Sequence, residues 1–158
     1  MEWAKHIVFT PILVGIFQGI CIAGLMNLPV EQRKVLEDSS HFTIVRTVTA
    51  LPEAIVALCG DLTGGLAEPA AKWEATDCIK DETLPRKRLI WGAISGVHHV
   101  VHYESGGYVH SFHLLVATLG NGGQQPKVIW RGIGGLYKDY TAFLLALRTG
   151  EFNDESEP

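Results

Sequence analysis

The 158-residue chain is long enough for one domain with a substantial core and too short for two ordinary domains joined by a linker. Apolar residues make up 47% and charged residues 19%, a balance that excludes disorder over most of the length. A net charge of −4 gives no general pull toward nucleic acid, and Arg86, Lys87 and Arg88 are too short a cluster for a binding stripe, so no nucleic-acid partner is expected.

Residues 7–28 contain no charged side chain, and this run has about the length an α-helix needs to cross a bilayer core. The expectation is an N-terminal hydrophobic helix, residues 1–29, acting as a membrane anchor or a signal. The chain is then membrane-anchored, periplasmic or secreted, with residues 7–28 as its membrane contact. Cys21, Ala23 and Gly24 are small enough for a signal-peptidase site. The competing reading is a buried core element, because Pro11, Gly15 and Gly19 interrupt a plain helix.

Residues 30–40 are polar and charged and read as a linker, so a single α+β domain is expected over 41–150, with 151–158 as a flexible acidic tail. Residues 41–48 are rich in β-branched side chains and predict a first strand. A short helix follows from Pro52, with Thr49 as its cap, Ile55, Val56 and Cys59 as its apolar stripe and Gly60 as its end. Residues 60–85 lack periodicity and read as a long loop that carries Trp73, Thr76 and Asp77 across the surface or over a cleft. From Arg88 to Gly134, turns at Ser95-Gly96, 104–107 and 120–126 divide the chain into consecutive strands, giving an antiparallel meander of four to five strands. Tyr140, Phe143, Leu144 and Leu147 then mark an amphipathic helix that Gly150 ends and that packs on one sheet face.

Five of the seven histidines, His98, His99, His102, His110 and His113, fall within sixteen residues. If Tyr103 pairs with Tyr108, then His98 faces His113 and His102 lies one pleat along on the same face, beside Leu89, Trp91 and Ala93. Three imidazoles with an open fourth position suit a metal, and zinc is the ion such a trio would hold, with Glu104 as a base and Trp91 walling the groove. The blander reading makes these histidines half-exposed strand residues, with His99 and His110 satisfied by hydrogen bonds at the core edge. The tryptophans Trp73, Trp91 and Trp130 either line a pocket or pack. Trp91, His102, Trp73 and Asp77 are the candidate ligand-binding residues.

Other chemistry finds little support. Cys21, Cys59 and Cys78 match no zinc-knuckle or C-x-x-C spacing, although a Cys59–Cys78 disulfide stays open for an exported chain. Asp61-Leu62-Thr63-Gly64-Gly65 lacks the lysine of a phosphate loop. Ser105 lies in a glycine-rich turn but not in a G-x-S-x-G elbow. The sequence is therefore compatible with three functions. The first is an exported or membrane-tethered, non-enzymatic binding or accessory domain that holds a protein or small ligand. The second is a metal-dependent enzyme at His98, His102 and His113. The third is a structural protein that forms homo-oligomers through the histidine face.

Overall fold

The computed structural model describes residues 26–60, 65–120 and 125–155. The mixed α+β fold is an open, six-stranded antiparallel sheet with three α-helices, and the strands lie side by side in chain order. They are β1 (Thr43–Val45), β2 (Lys87–Ser95), β3 (His98–Ser105), β4 (Ser111–Thr118), β5 (Lys127–Gly134) and β6 (Asn153–Asp154). The helices are α1 (Val30–Glu37), α2 (Glu53–Cys59) and α3 (Tyr140–Thr149).

The meander forms where turn chemistry demands it. Gly96 has φ +54° and opens the two-residue turn between Ser95 and His98, so a positive φ falls where only glycine adopts it without strain. α3 follows its predicted pattern: the Asp139 side chain accepts from the Ala142 amide at 2.9 Å, Phe143 and Leu147 are buried, and Gly150 at φ +72° ends the helix.

The sheet is covered on both sides. α1 and α3 pack on the face bearing Trp91, Ala93, Val100, Leu114, Val116 and Trp130. On the other face, α2 covers Leu89, Val101, Tyr103, Leu115 and Ala117. A one-residue irregularity in β2 separates the Leu89–Tyr103 pair from the Trp91–His102 pair, so the bulge at Ile90 turns Leu89 away from the face of Trp91. It places Arg88, opposite Glu104, on the Trp91 face instead.

Several boundaries differ from those expected. The sheet has six strands, and the extra one, β6, lies in the stretch read as a flexible tail, where Phe152 is buried against Trp130 and Phe143. Residues 30–40 are not a linker. Leu36 is buried, the Tyr140 hydroxyl donates to the Leu36 carbonyl at 2.9 Å, and Arg33 donates to the Leu147 carbonyl at 2.9 Å, which ties α1 to α3. A single apolar anchor in a charged segment leaves no periodicity to read. The first strand is shorter than expected because 3₁₀ turns at Ser39–His41 and Val48–Ala50 take up its two ends. Thr49 does not cap α2, which starts at Pro52 without a side-chain cap.

The membrane segment expected at 7–28 lies outside the described residues, apart from its last three. Of these, Met26 and Leu28 pack into the core, and the Asn27 amide donates to the Asp154 carboxylate at 2.9 Å. No helix of the described residues is long and apolar enough to cross a membrane. Cys59 and Cys78 are both free, the first buried at the end of α2 against the sheet and the second exposed, so the disulfide left open by the sequence is not formed.

Candidate functional site

The histidine trio does not assemble. His98 pairs with Thr118, His102 with Leu114 and Tyr103 with His113, so β4 is shifted by an odd number of residues from the expected register. That shift turns every β4 side chain to the other face and sends His113 away from His98 and His102. Its cause is the connection between β3 and β4. Gly106 and Gly107 leave the ladder to bond with Arg86 and Ala75, and the turn spans residues 106–110 instead of closing at Tyr103–Tyr108. Among the described residues, no three histidine, cysteine or acidic side chains group closely enough to hold a metal.

Trp91 and His102 are core residues. Both are fully buried, the Trp91 indole donates to the Tyr137 carbonyl at 2.8 Å, and the Tyr137 amide donates to His102 Nε2 at 3.1 Å. Since Nε2 accepts, the ring proton sits on Nδ1, which donates to the His113 carbonyl at 2.8 Å. Neither nitrogen is left for a ligand, and burial pushes the His102 pKa down to about 4. His99 is likewise buried, with Nδ1 3.1 Å from the Val97 carbonyl. Asp77 is exposed in the loop and its carbonyl receives the Ile79 amide. Trp91, Ala93 and Leu89, the apolar residues expected on the histidine face, are all interior in the chain.

What the fold does bring together is an arrangement around Glu104. This carboxylate is buried, and it accepts from Arg88 Nε at 2.6 Å and from His110 Nε2 at 2.7 Å. The Arg88 guanidinium lies 4.8 Å above the Trp73 ring, and Trp73 in turn lies 5.7 Å from the His110 ring. Arg88 reaches this face because of the bulge at Ile90, and His110 because the long turn carries it back over Glu104. Trp73 arrives with the 66–86 loop, which is fastened at several points. Ala67 bonds both Lys87 and Leu89, Glu74 bonds Pro85, and Thr76 bridges Gly107.

The cluster opens onto a groove of about 400 Å³ lined by Pro69, Arg88, Glu104, His110, Phe112 and Leu136. His110 is half exposed there, at 46% of its side chain. With Nε2 bound to Glu104, its Nδ1 is the ring nitrogen left to meet a ligand. The bond between Arg88 and Glu104 uses Nε and leaves the two amino groups of the guanidinium for other acceptors. Both Glu104 oxygens are already engaged, which removes it from the role of general base. Beside the groove, Tyr108 is 90% exposed and Val109 72%.

Of the residues singled out from the sequence, Trp73, Glu104 and His110 belong to this cluster, His110 through a hydrogen bond to Glu104, and Arg88 and Phe112 were missed as members. A readable signal existed for Arg88 and Glu104, since opposite charges inside two adjacent apolar strands point to a cross-strand pair. No protein-family model, curated protein or solved structure matches the chain.

Proposed function

We propose that the chain is a small-ligand-binding domain whose groove takes a compact molecule with an apolar body and a carboxylate head. The observation that carries this reading is the clamp at the groove wall, where one buried carboxylate holds both Arg88 and His110. Two groups able to carry positive charge face a single negative one, so an added anion improves the local balance. Phe112, Leu136 and Pro69 supply apolar contact for the body of the ligand. The volume suits a molecule of metabolite size.

An exported or membrane-tethered location is supported by the uncharged run that begins at Ile7. Because Met26 and Leu28 pack in the domain, the portion left for a membrane is residues 7–25, close to the ~20 residues a span requires.

The test is a panel of aliphatic and aromatic carboxylates followed by amide chemical-shift mapping and tryptophan fluorescence. Saturable shifts at Arg88, His110 and Phe112 that vanish in Arg88→Met are expected. Shifts scattered over the surface, or equal binding by the variant, would overturn the reading.

A further inference from the structure

On the opposite face of the same sheet end, three side chains from two elements meet in the order a nucleophilic hydrolase uses. We propose that Ser111, His113 and Glu155 form a hydrolytic relay acting on esters of small carboxylic acids. The relay is independent of the groove at Glu104.

Ser111 and His113 are two residues apart on β4 and therefore share a face. Ser111 Oγ lies 2.7 Å from His113 Nε2, a distance at which the hydroxyl donates to the imidazole. Behind the ring, His113 Nδ1 lies 3.4 Å from Glu155 Oε1. Glu155 follows β6, and its amide bonds the Arg131 carbonyl at 3.1 Å, which fixes the carboxylate beside the histidine. The imidazole is held in plane by Tyr103, whose ring stacks on it at 5.2 Å and 9°.

Two features distinguish this group from incidental strand packing. His113 Nδ1 and Glu155 Oε2 are both buried without a well-aligned hydrogen bond, although each is a strong bonding group. Buried polar atoms left this way are uncommon, and relays in unliganded enzymes are frequently long and tighten only with substrate. The contact with His113, and then the charges of Arg131 and Lys87, hold the Glu155 carboxyl below its usual range, so it stays ionised opposite Nδ1.

In the proposed reaction, Ser111 Oγ attacks the ester carbonyl carbon while its proton passes to His113 Nε2. The carbonyl π electrons move to oxygen. Lys87, two strands away in the row of Ser105 and Ser111, donates to the Gly60 carbonyl at 3.5 Å and lies over the Tyr103 ring, and it is the cation that would swing from there to that oxyanion. Collapse breaks the bond to the alcohol, which leaves with the proton from Nε2. Water repeats the sequence on the acyl-serine, releasing the acid and restoring the hydroxyl. Glu155 exchanges no proton and acts as a positioning residue that stabilises the imidazolium. Only 11% of the His113 side chain is exposed, while Ser111 is half-buried, so the hydroxyl is the member of the group that solvent reaches more readily.

The experiment uses the full chain with p-nitrophenyl acetate and a fluorophosphonate probe, beside Ser111→Ala and Glu155→Gln. Ester turnover and probe labelling mapped to Ser111 are expected, with turnover falling by about a hundredfold in Ser111→Ala while its circular dichroism is unchanged. Glu155→Gln is expected to lower kcat about tenfold with little change in KM. Turnover that survives Ser111→Ala, or labelling at other residues only, would overturn the proposal. Carboxylate binding at the groove should be intact in Ser111→Ala, so failure of one site is distinguishable from failure of the other.

Discussion

Trp91 and His102, cross-strand partners on β2 and β3, hold both main-chain polar groups of Tyr137: the indole bonds its carbonyl and the imidazole its amide. The segment leading into α3 is thereby fixed to the middle of the sheet. A histidine that looked like a metal ligand is a structural part whose value lies in being neutral.

That neutrality makes stability depend on pH in a defined direction. His102 has a pKa of about 4 in the fold and an ordinary value of 6.5 when unfolded, so between these limits the unfolded chain binds a proton that the folded one refuses. The contribution is complete above about pH 6.5 and is lost as pH falls toward 4; the shift corresponds to at most about 3 kcal/mol. Histidine NMR should find the His102 ring neutral at pH 5, with urea midpoints falling across the same window. A ring that titrates near 6.5 would contradict the burial argument.

His102→Leu should cost about 3 kcal/mol in urea denaturation. It leaves the Tyr137 amide buried without a partner and takes the imidazole donor from the His113 carbonyl while nearly conserving volume. A loss under about 1 kcal/mol would mean that water replaces the ring.

Glu104→Gln should destabilise by about 2 kcal/mol, because it removes the charge that neutralises Arg88 at a buried position. Double-mutant cycles with Arg88→Met give the coupling directly. Additive losses would show that the pair contributes nothing beyond packing.

Cys59 and Cys78 should differ sharply toward thiol reagents. Burial pushes the Cys59 thiol up to about 12, and it is inaccessible on the sheet-facing side of α2, whereas Cys78 is exposed. Peptide mapping after brief alkylation should find Cys78 labelled in the native protein and Cys59 labelled only after denaturation. Equal native labelling would show that α2 opens readily.

A methyl group at Gly106 has no room. An added Cβ would collide with the Glu74 carbonyl oxygen and stand 2.7 Å from Ala75 Cα, both backbone atoms. Gly106→Ala should therefore detach the 74–76 segment from the β3–β4 turn and cost about 2 kcal/mol. It should also weaken carboxylate binding at the groove, since Trp73 is carried by that segment. Unchanged stability with unchanged Trp73 fluorescence would refute this.

The helix α3 was legible because only one of its faces is buried, so its apolar residues recur at helical spacing. The meander was legible from its glycine turns. The register of β4 was not, because helices cover both sides of the sheet and the strand reads Leu114, Leu115, Val116 and Ala117 in unbroken succession. Alternation fixes register only where one face is wet. Leu36 and Phe152 were missed for a related reason: each is a lone anchor in a polar stretch. The pairing of Ser111 with His113 was visible as a spacing, but its third member depended on where β6 returns the chain.

The two outermost strands are the shortest, three residues in β1 and two in β6, and they flank four strands of eight or nine residues. Short rims give neighbouring molecules little backbone to pair with, and Ala67 covers part of the remaining β2 rim by bonding Lys87 and Leu89. A chain cut before Phe152 would lose both β6 and an aromatic of the core. It would also bare the Arg131–Ile133 stretch of β5 that this return covers, lengthening the open edge of that strand. The last few residues thus guard solubility as well as supplying Glu155.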